Sequence, residues 1–388
     1  MILALILFLW VLFFILSFGV TGLRFIIDRR AAAGPWMHKI DKKYMPSVSF
    51  LVPTYNENHV IQHKLENLAR LDYPKNLVQI IIVDSNSSDH TLDIAKEFVQ
   101  KHSEIQIKIL IEKERLGKSA ALNSALEQAT GELVIVSDAD CFYPNNVLRN
   151  SLPYLSDLTI GAISGQKCLL NEKSSGTVKN EAEYLKSANL IKLGESKAGF
   201  TPLFEGGFSA YRKTAIECFD PYFTGSDDCG TLIKFAENSY KALYVPEAVF
   251  FTTFPVTLKG RLGIKIRRAN QLIRVFSKYL RLLITGRIKS FKSIVLKNTI
   301  IYLFCPIFFV IFLGLTVIAF AMYPLSSLLL ISFFLPKVGT MLINVTQGYL
   351  LLFFSLMSVF FKKGFLTWKQ PADRHLLTEI MLKQNNLI

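Results

Sequence analysis

The first segment of the chain constrains its architecture more than any other. Residues Ile2 to Leu23 form a nearly uninterrupted apolar run of 22 residues, which is long enough for a helix to cross the hydrocarbon core of a bilayer. The run has neither a basic segment before it nor a small-residue cleavage site after it. It therefore predicts an uncleaved membrane anchor over residues 1–27 rather than a secretory signal. Arg24, Arg29 and Arg30 follow at once, and their charge predicts that the next domain is cytoplasmic.

A second hydrophobic zone covers residues 294–361 and predicts two or three further spans. Ile300 to Met322 is one span by length and composition. Leu325 to Phe361 is too long for one straight helix and is interrupted by Pro336, Lys337 and Gly339, so it is either two spans or one span with a re-entrant or interfacial piece. The basic residues beyond it predict a cytoplasmic tail over residues 362–388, which favours three spans in total and leaves four as the alternative; they are Lys362, Lys363, Lys369 and Arg374.

The net charge of +14 is concentrated in one region. No Asp or Glu occurs between Ala248 and Ala372, whereas twelve Lys or Arg residues lie between Lys259 and Lys297. A basic stretch beside membrane spans is typical of segments that lie on the anionic cytoplasmic leaflet, so residues 258–293 are predicted to be basic amphipathic interfacial helices. Nucleic acid also attracts such charge, but the flanking spans already explain it, and we expect no nucleic-acid partner.

Between residues 46 and 257 the composition is that of a globular domain, and strand-like runs alternate with helical periodicity. The predicted strands are Val48–Val52, which Pro53 ends, Val78–Val83, Ile105–Ile111 and Leu133–Val136. The predicted helices are Glu57–Leu71, Thr91–Lys101, Ser119–Thr130 and, further on, Gly230–Ser239. The alternation predicts an α/β fold with a mainly parallel sheet and right-handed crossovers.

Polar residues follow three of these strands, at the point where each strand ends. Thr54 follows the first strand, Asp84 the second, and Asp138-Ala139-Asp140 the fourth. The carboxyl ends of parallel strands meet at one edge of the sheet, where α/β proteins bind their ligands. Two carboxylates one residue apart can hold one hard divalent cation, Mg²⁺ or Mn²⁺, which can neutralise a diphosphate. The motif is also common in solvated turns, and alone it does not establish a site.

Two other features of this edge have a functional and a purely structural interpretation. Asn, Asp and Ser often cap the helix that follows a strand; this role fits Ser88 or Asp89 better than Asp84. Gly117 allows a tight approach of the backbone, and Lys118 then lies at a helix N-terminus, a natural position for phosphate. The structural alternative for Lys118 is a surface lysine in a loop.

Seven segments, taken in order, resemble one family of enzymes. They are VSFLVPTYNE (Val48–Glu57), IIIVDSNSSDHT (Ile80–Thr91), RLGKSAALNSAL (Arg115–Leu126), GELVIVSDAD (Gly131–Asp140), FEGGFSAYRK (Phe204–Lys213), GSDD (Gly225–Asp228) and YVPEAV (Tyr244–Val249). Together they resemble the inverting family 2 glycosyltransferases, which have the GT-A fold, and in particular non-processive relatives of cellulose and hyaluronan synthases. The resemblance covers about residues 46–273 and implies a cytoplasmic GT-A domain over residues 46–257.

The resemblance implies a role for each matching residue. Those expected in the nucleotide pocket are Pro53, Tyr55, Glu57 and Asp84, with Lys118 reaching the nucleotide or its phosphates. Asp138 is expected near the ribose and diphosphate and, with Asp140, at the Mg²⁺ or Mn²⁺ ion. Asp228, beside Asp227, is the expected general base. The structural alternative is that this aspartate pair caps the helix predicted over Gly230–Ser239.

The segment after the domain departs from the pattern of polymerising family members, which carry Q-x-x-R-W there. Gln271 and Arg274 match part of that motif, but Val275 replaces the tryptophan. By its distance from Pro255, Arg268 is the alternative counterpart of the arginine, which would bind the diphosphate. For most basic residues of this segment the simpler interpretation is contact with lipid head groups.

These observations predict an integral membrane glycosyltransferase with a cytoplasmic catalytic domain. It is expected to transfer one hexose from a UDP- or GDP-linked donor, with inversion, to a polyprenyl-phosphate or other lipid-linked acceptor. A processive polysaccharide synthase is the alternative, against which the missing tryptophan and the few spans count. A catalytically silent scaffold would be expected to lose its carboxylates, and a soluble nucleotidyltransferase would not need membrane spans.

Overall fold

A computed structural model of the chain describes residues 2–322, 338–361 and 377–388. The expected breaks and charges at Pro336, Lys337, Lys362, Lys363, Lys369 and Arg374 lie outside these residues. The chain forms two compact units. The apolar unit comprises Met1–Arg29, Leu262–Arg287 and Lys292–Trp368, and the sheet unit comprises Arg30–Arg261, Ile288–Phe291 and Lys369–Ile388.

A seven-stranded sheet organises the sheet unit. Its strands are β1 (Val48–Thr54), β2 (Val78–Asp84), β3 (Gln106–Ile111), β4 (Leu133–Val136), β5 (Ile160–Leu169), β6 (Ser209–Arg212) and β7 (Lys241–Thr252). Their order is β3-β2-β1-β4-β6-β5-β7. Only β6 runs antiparallel to its neighbours, β4 and β5, and the other pairings are parallel. The prediction of an α/β fold with a mainly parallel sheet is confirmed.

The helices complete both units. They are α1 (Ile2–Phe14), α2 (Val20–Ala33), α3 (Ile61–Ala69), α4 (Thr91–Lys101), α5 (Lys118–Gln128), α6 (Val147–Ser151), α7 (Gly176–Lys197), α8 (Leu232–Glu237), α9 (Leu258–Ile284), α10 (Lys292–Thr299), α11 (Cys305–Met322), α12 (Val338–Phe360) and α13 (Glu379–Gln384). Strands β1, β2 and β4 are almost wholly buried, as expected of parallel strands that helices cover on both faces.

Two predicted boundaries are wrong for identifiable reasons. Strand β1 does not end before Pro53 but includes it, because the pairing of β1 with β4 already stops at Leu51. The missing N–H of proline therefore removes no hydrogen bond from the sheet. Helix α3 begins at Ile61 rather than Glu57, because Asn56 has a positive φ of 54° and a left-handed residue turns the chain out of the helical path.

Three helical stretches of the described chain are long and apolar enough to cross a membrane: Ala4–Ala33, Lys292–Met322 and Leu342–Phe360. They agree with the predicted N-terminal and C-terminal apolar helices. Gly339, expected as a break, lies in the first turn of α12.

Aromatic side chains join these helices inside the apolar unit. The Trp10 ring packs 5.2 Å from that of Phe312, and Trp10 Nε1 donates to Thr316 Oγ1 at 2.9 Å. Arg24, predicted only as a basic flank, is buried, and its guanidinium donates to Asp28 and to Asn298. A buried charge needs such partners.

Candidate functional site

The polar ends of β1, β2 and β4 lie side by side. Thr54 is in register with Asp84 across the β1–β2 pair, and the backbone N–H of Ser137 donates to the carbonyl of Leu51 at 3.0 Å. Asp138 therefore lies two residues beyond Val136, the last residue of β4 in register with β1. The predicted convergence of the three strand ends on one edge of the sheet is confirmed.

Lys118 connects two parts of this edge. Its Nζ lies 2.7 Å from Asp138 Oδ1 and 2.8 Å from Asp227 Oδ2. Burial would lower the pKa of Lys118, but the charges of Asp138 and Asp227 raise it above its ordinary value, so the side chain is a permanent cation. Gly117, with φ of 101°, begins the helix in a conformation that glycine adopts without strain. A Cβ on Gly206 would lie 3.0 Å from Lys118 Nζ, so this glycine leaves room at the cation.

Asp138 and Asp140 form the group best suited to a divalent cation. Their carboxylate oxygens and the Cys141 sulfur lie within 4.8 Å of one another. Burial raises the pKa of Cys141 well above its ordinary value, so this residue is a neutral thiol. Oxygen ligands, not neutral thiols, suit Mg²⁺ and Mn²⁺. The two aspartates fit the predicted ion, and they would be its protein ligands.

The residues expected in the nucleotide pocket are distributed along the ends of β1 and β2. Asp84 is 2% exposed, and its carboxylate accepts hydrogen bonds from the backbone N–H and the hydroxyl of Ser87. The Arg115 guanidinium lies 3.9 Å from the centre of the Tyr55 ring, a stacked cation–π pair. The buried Glu57 donates its backbone N–H to Thr91 Oγ1 at 2.7 Å.

Asp89, offered as a possible cap, accepts from the backbone N–H of Thr91. Pro53 lies within β1, one residue before Thr54. These placements bring the expected pocket residues to one edge of the sheet and leave their roles as predictions.

Asp227 and Asp228 lie on a loop that the protein holds rigidly. Asp228 Oδ1 accepts from Ser226 Oγ at 2.5 Å and from the backbone N–H of Cys229 at 2.6 Å. Helix α8 begins only at Leu232, two residues later than the predicted start at Gly230, and within this described loop the aspartate pair makes no cap hydrogen bond to it. The capping interpretation is therefore wrong, because the chain makes a turn between the pair and the helix.

Asp220 anchors this loop, although no motif of the sequence assigns it a role. Its carboxylate accepts from the backbone N–H and hydroxyl of Thr224, at 2.9 and 2.7 Å, and from the backbone N–H of Gly225 at 2.7 Å. Asp220 itself has a φ of 49°, which aspartate tolerates better than most residues. Before the loop, only the sequence Phe219-Asp220-Pro221 could have indicated a turn.

Arg268, Gln271 and Arg274 lie on α9, within the apolar unit. Their expected contact with the diphosphate stays a prediction.

A family model described as glycosyl transferase family 2 matches residues 49–219. Among solved structures, the chain is similar to a mannosyltransferase from Pyrobaculum calidifontis, determined in complex with GDP-Man and Mn²⁺. The two share 29% sequence identity at a TM-score of 0.79, over 92% of this chain and 99% of that one.

Curated relatives match a shorter part of the chain. A poly-β-1,6-N-acetyl-D-glucosamine synthase of Staphylococcus epidermidis is 28% identical over 60% of this chain and 56% of its own length. A β-monoglucosyldiacylglycerol synthase of Synechocystis is 36% identical over 33% of this chain and 26% of its own length. The chain therefore spans about half, or less, of the length of these relatives.

Proposed function

We propose that the protein is a nucleotide-sugar transferase that adds single hexose units, with inversion, to a lipid-linked acceptor, because residues 49–219 match the family model described as glycosyl transferase family 2. One observation carries the proposal. Lys118 Nζ contacts both Asp138, on the expected donor side, and Asp227, beside the expected base. A single cation thus joins the groups that a displacement at the anomeric carbon needs on either side of the reacting bond.

The donor side is built for a diphosphate. A divalent cation held by Asp138 and Asp140 would stabilise the negative charge of the leaving diphosphate. Lys118 adds a fixed positive charge beside them, and the Tyr55 ring with Arg115 offers a flat surface at the end of β1. The Pyrobaculum mannosyltransferase, similar along nearly the whole chain, favours GDP-mannose as the first donor to test.

The acceptor side rests on Asp228. Two hydrogen bonds to Oδ1 fix its carboxylate, so that Oδ2 is held in one orientation for proton removal from an acceptor hydroxyl. General-base catalysis of this kind contributes about 10²–10⁴-fold to a rate. Asp228→Asn should lose about that factor with a hydroxyl acceptor and much less with a phosphate acceptor, which is already ionised. An equally mild loss with both acceptors would contradict the assignment.

The apolar helices and their flanking charge support a lipid-linked acceptor and a cytoplasmic domain. The described chain has three candidate spans, and Arg29 and Arg30 lie in the last turns of the first one, which ends at Ala33. Labelling with a membrane-impermeant maleimide tests the orientation, with Cys218 as the partly exposed target. The label should react only after the cells are permeabilised.

Calorimetry on the full-length protein in detergent tests the donor site. GDP-mannose, UDP-glucose and UDP-N-acetylglucosamine are compared with Mn²⁺ and with EDTA. We expect metal-dependent binding of one donor, lost in Asp140→Ala and kept in Asp93→Ala, whose carboxylate is 75% exposed on α4. A folded protein that binds no donor would instead support a silent scaffold.

The curated poly-N-acetylglucosamine synthases favour processive synthesis as the second candidate. Incubation with donor alone separates the two modes. Products longer than one added sugar would support polymerisation, whereas a single addition that depends on an added lipid acceptor would support our first proposal.

A further inference from the structure

Helix α3 fixes the backbone of residues 141–143, which directly follow the two aspartates proposed to bind the metal ion. Lys64 and Asn67 lie one turn apart on α3, and both are 0% exposed. Lys64 Nζ donates to the carbonyl of Cys141 at 2.5 Å. Asn67 Oδ1 accepts from the backbone N–H of Tyr143 at 2.9 Å, and its Nδ2 donates to the Tyr143 carbonyl at 2.8 Å. Each bond fixes main chain, so the loop position depends on these side chains.

Tyr143 carries this support through to the site itself. Its hydroxyl is 2.6 Å from the carbonyl of Gly207 and 2.5 Å from Ser137 Oγ. Ser137 directly precedes Asp138, and Gly207 directly follows Gly206, which lies against Lys118. A fully buried tyrosine therefore connects the two backbone segments on which the carboxylates and the cation depend.

Residues 377–388 make further contacts with the same network of buried side chains. The second N–H of the Asn67 amide donates to the Leu387 carbonyl at 2.7 Å. Leu382 and Leu387 are 0% and 1% exposed, and they pack with Phe142. Phe142 in turn exchanges two backbone hydrogen bonds, both of 2.8 Å, with Phe251 in β7. The backbone of Phe142 is therefore hydrogen-bonded to the sheet, and its side chain packs against the segment 377–388.

We propose that residues 377–388 are a positioning element of the donor site, which sets the geometry of Asp138 and Asp140 through Asn67 and Phe142. The inference rests on the proposed role of the two aspartates as metal ligands. If the segment detached, one amide N–H of Asn67 would lose its partner in the interior, and Phe142 would lose part of its apolar cover. The loop 137–143 would then be free to move relative to the sheet.

Metal affinity is the property that such a loss changes first, because outer-shell partners of metal ligands typically contribute about 10–100-fold to affinity. The perturbing variant is Leu387→Asp in the full chain, which places a charge in the docked interface. Binding of Mn²⁺ alone, followed by electron paramagnetic resonance, is expected to weaken at least tenfold. Hydrogen exchange should rise both in residues 377–388 and in residues 137–143.

A matched pair of amide variants distinguishes a specific loss of Mn²⁺ affinity from a general loss of stability. Asn67→Ala removes the link between the segment and Tyr143. Gln79→Ala removes a similarly buried amide, which bonds Ser49 and Thr130 at the opposite edge of the sheet. Only the first variant should lose Mn²⁺ affinity, although both should lower the melting temperature.

The outcomes separate this inference from the proposed function. A wild-type protein that binds no Mn²⁺ would refute the metal site itself. A wild type that binds Mn²⁺, with Leu387→Asp equally tight although its segment exchanges freely, would refute the positioning role alone. If Leu387→Asp does not fold, equal Mn²⁺ affinities for Asn67→Ala and Gln79→Ala would refute it instead.

Discussion

Replacing Lys118 with methionine should change two affinities in opposite directions. Lys118 Nζ lies 2.7 Å from Asp138 Oδ1, and it therefore competes with a metal ion for that carboxylate. When a nucleotide diphosphate is bound, we expect the same ammonium to contact a phosphate oxygen. Lys118→Met keeps the length and apolar stem of the side chain while removing its charge. The metal ion alone should then bind more tightly and the nucleotide less tightly.

The sizes of the two effects follow from exposure. A hydrogen bond between charged groups contributes about 1.5–3 kcal/mol when it is buried. Lys118 and Asp138 are 34% and 32% exposed, and solvent screening at such a pair leaves about 1 kcal/mol. Release of Asp138 should thus strengthen Mn²⁺ binding about fivefold. The contact with a bound diphosphate is less screened, and its loss should weaken nucleotide binding about 10–100-fold.

Two titrations measure the two changes. Electron paramagnetic resonance gives the affinity for Mn²⁺ without nucleotide, and calorimetry at saturating Mn²⁺ gives the affinity for the nucleoside diphosphate. Lys113 is an exposed lysine in the loop that precedes α5, and Lys113→Met is the control that should change neither affinity. If Mn²⁺ bound Lys118→Met no more tightly than wild type, the lysine would not be competing for Asp138, and the reasoning from their contact would be wrong.

Three further variants test parts of the sheet unit. A Cβ on Gly207 would lie 2.2 Å from the buried ring of Phe250, so Gly207→Ala should lower the free energy of unfolding by about 1–3 kcal/mol, measured by urea denaturation. Asp220→Asn replaces an acceptor with a donor opposite the Gly225 N–H; steady-state kinetics should show kcat reduced about tenfold or more with donor affinity retained. Burial lowers the pKa of His38 from 6.5, so the folded state resists protonation and stability should fall as the pH drops below that value. His38→Gln should flatten this part of the pH–stability curve, and a curve that stays unchanged would contradict the assignment.

The first half of the sheet could be predicted from the sequence because each element there is specified locally. Every residue of strands β2 and β4 is buried; β4 is wholly apolar and β2 is apolar except at Gln79 and its last residue, Asp84, so the polar residues at their carboxyl ends stand out by contrast. Their convergence needs only the rule that parallel strands end at the same edge. The second half lacks such signals. Strand β6 is four residues long and runs antiparallel between β4 and β5, and no short periodicity indicates that insertion.

The hydrogen bonds that hold the site in place depend on partners and backbone conformations that local sequence patterns do not reveal. Asn67 bonds Tyr143 and Leu387, which are 76 and 320 residues away in the chain, and within α3 it has the spacing of an ordinary core position. The three bonds to Asp220 lie within one loop, but they require the positive φ that this aspartate adopts. Neither the partner of a buried amide nor the handedness of a single residue can be derived from composition or periodicity.

The charge at the site explains why these supports matter. Asp138 and Asp227 both contact the ammonium group of Lys118, and Asp140 lies close to Asp138, so three carboxylates share this part of the edge. Like charges held this close repel each other, and a diphosphate would add to the repulsion. A loosely held loop would relieve the strain by moving the carboxylates apart, and the arrangement that suits a divalent cation would be lost. The buried bonds from α3, Tyr143 and the segment 377–388 oppose that movement, so the arrangement can exist before the ion and the donor bind.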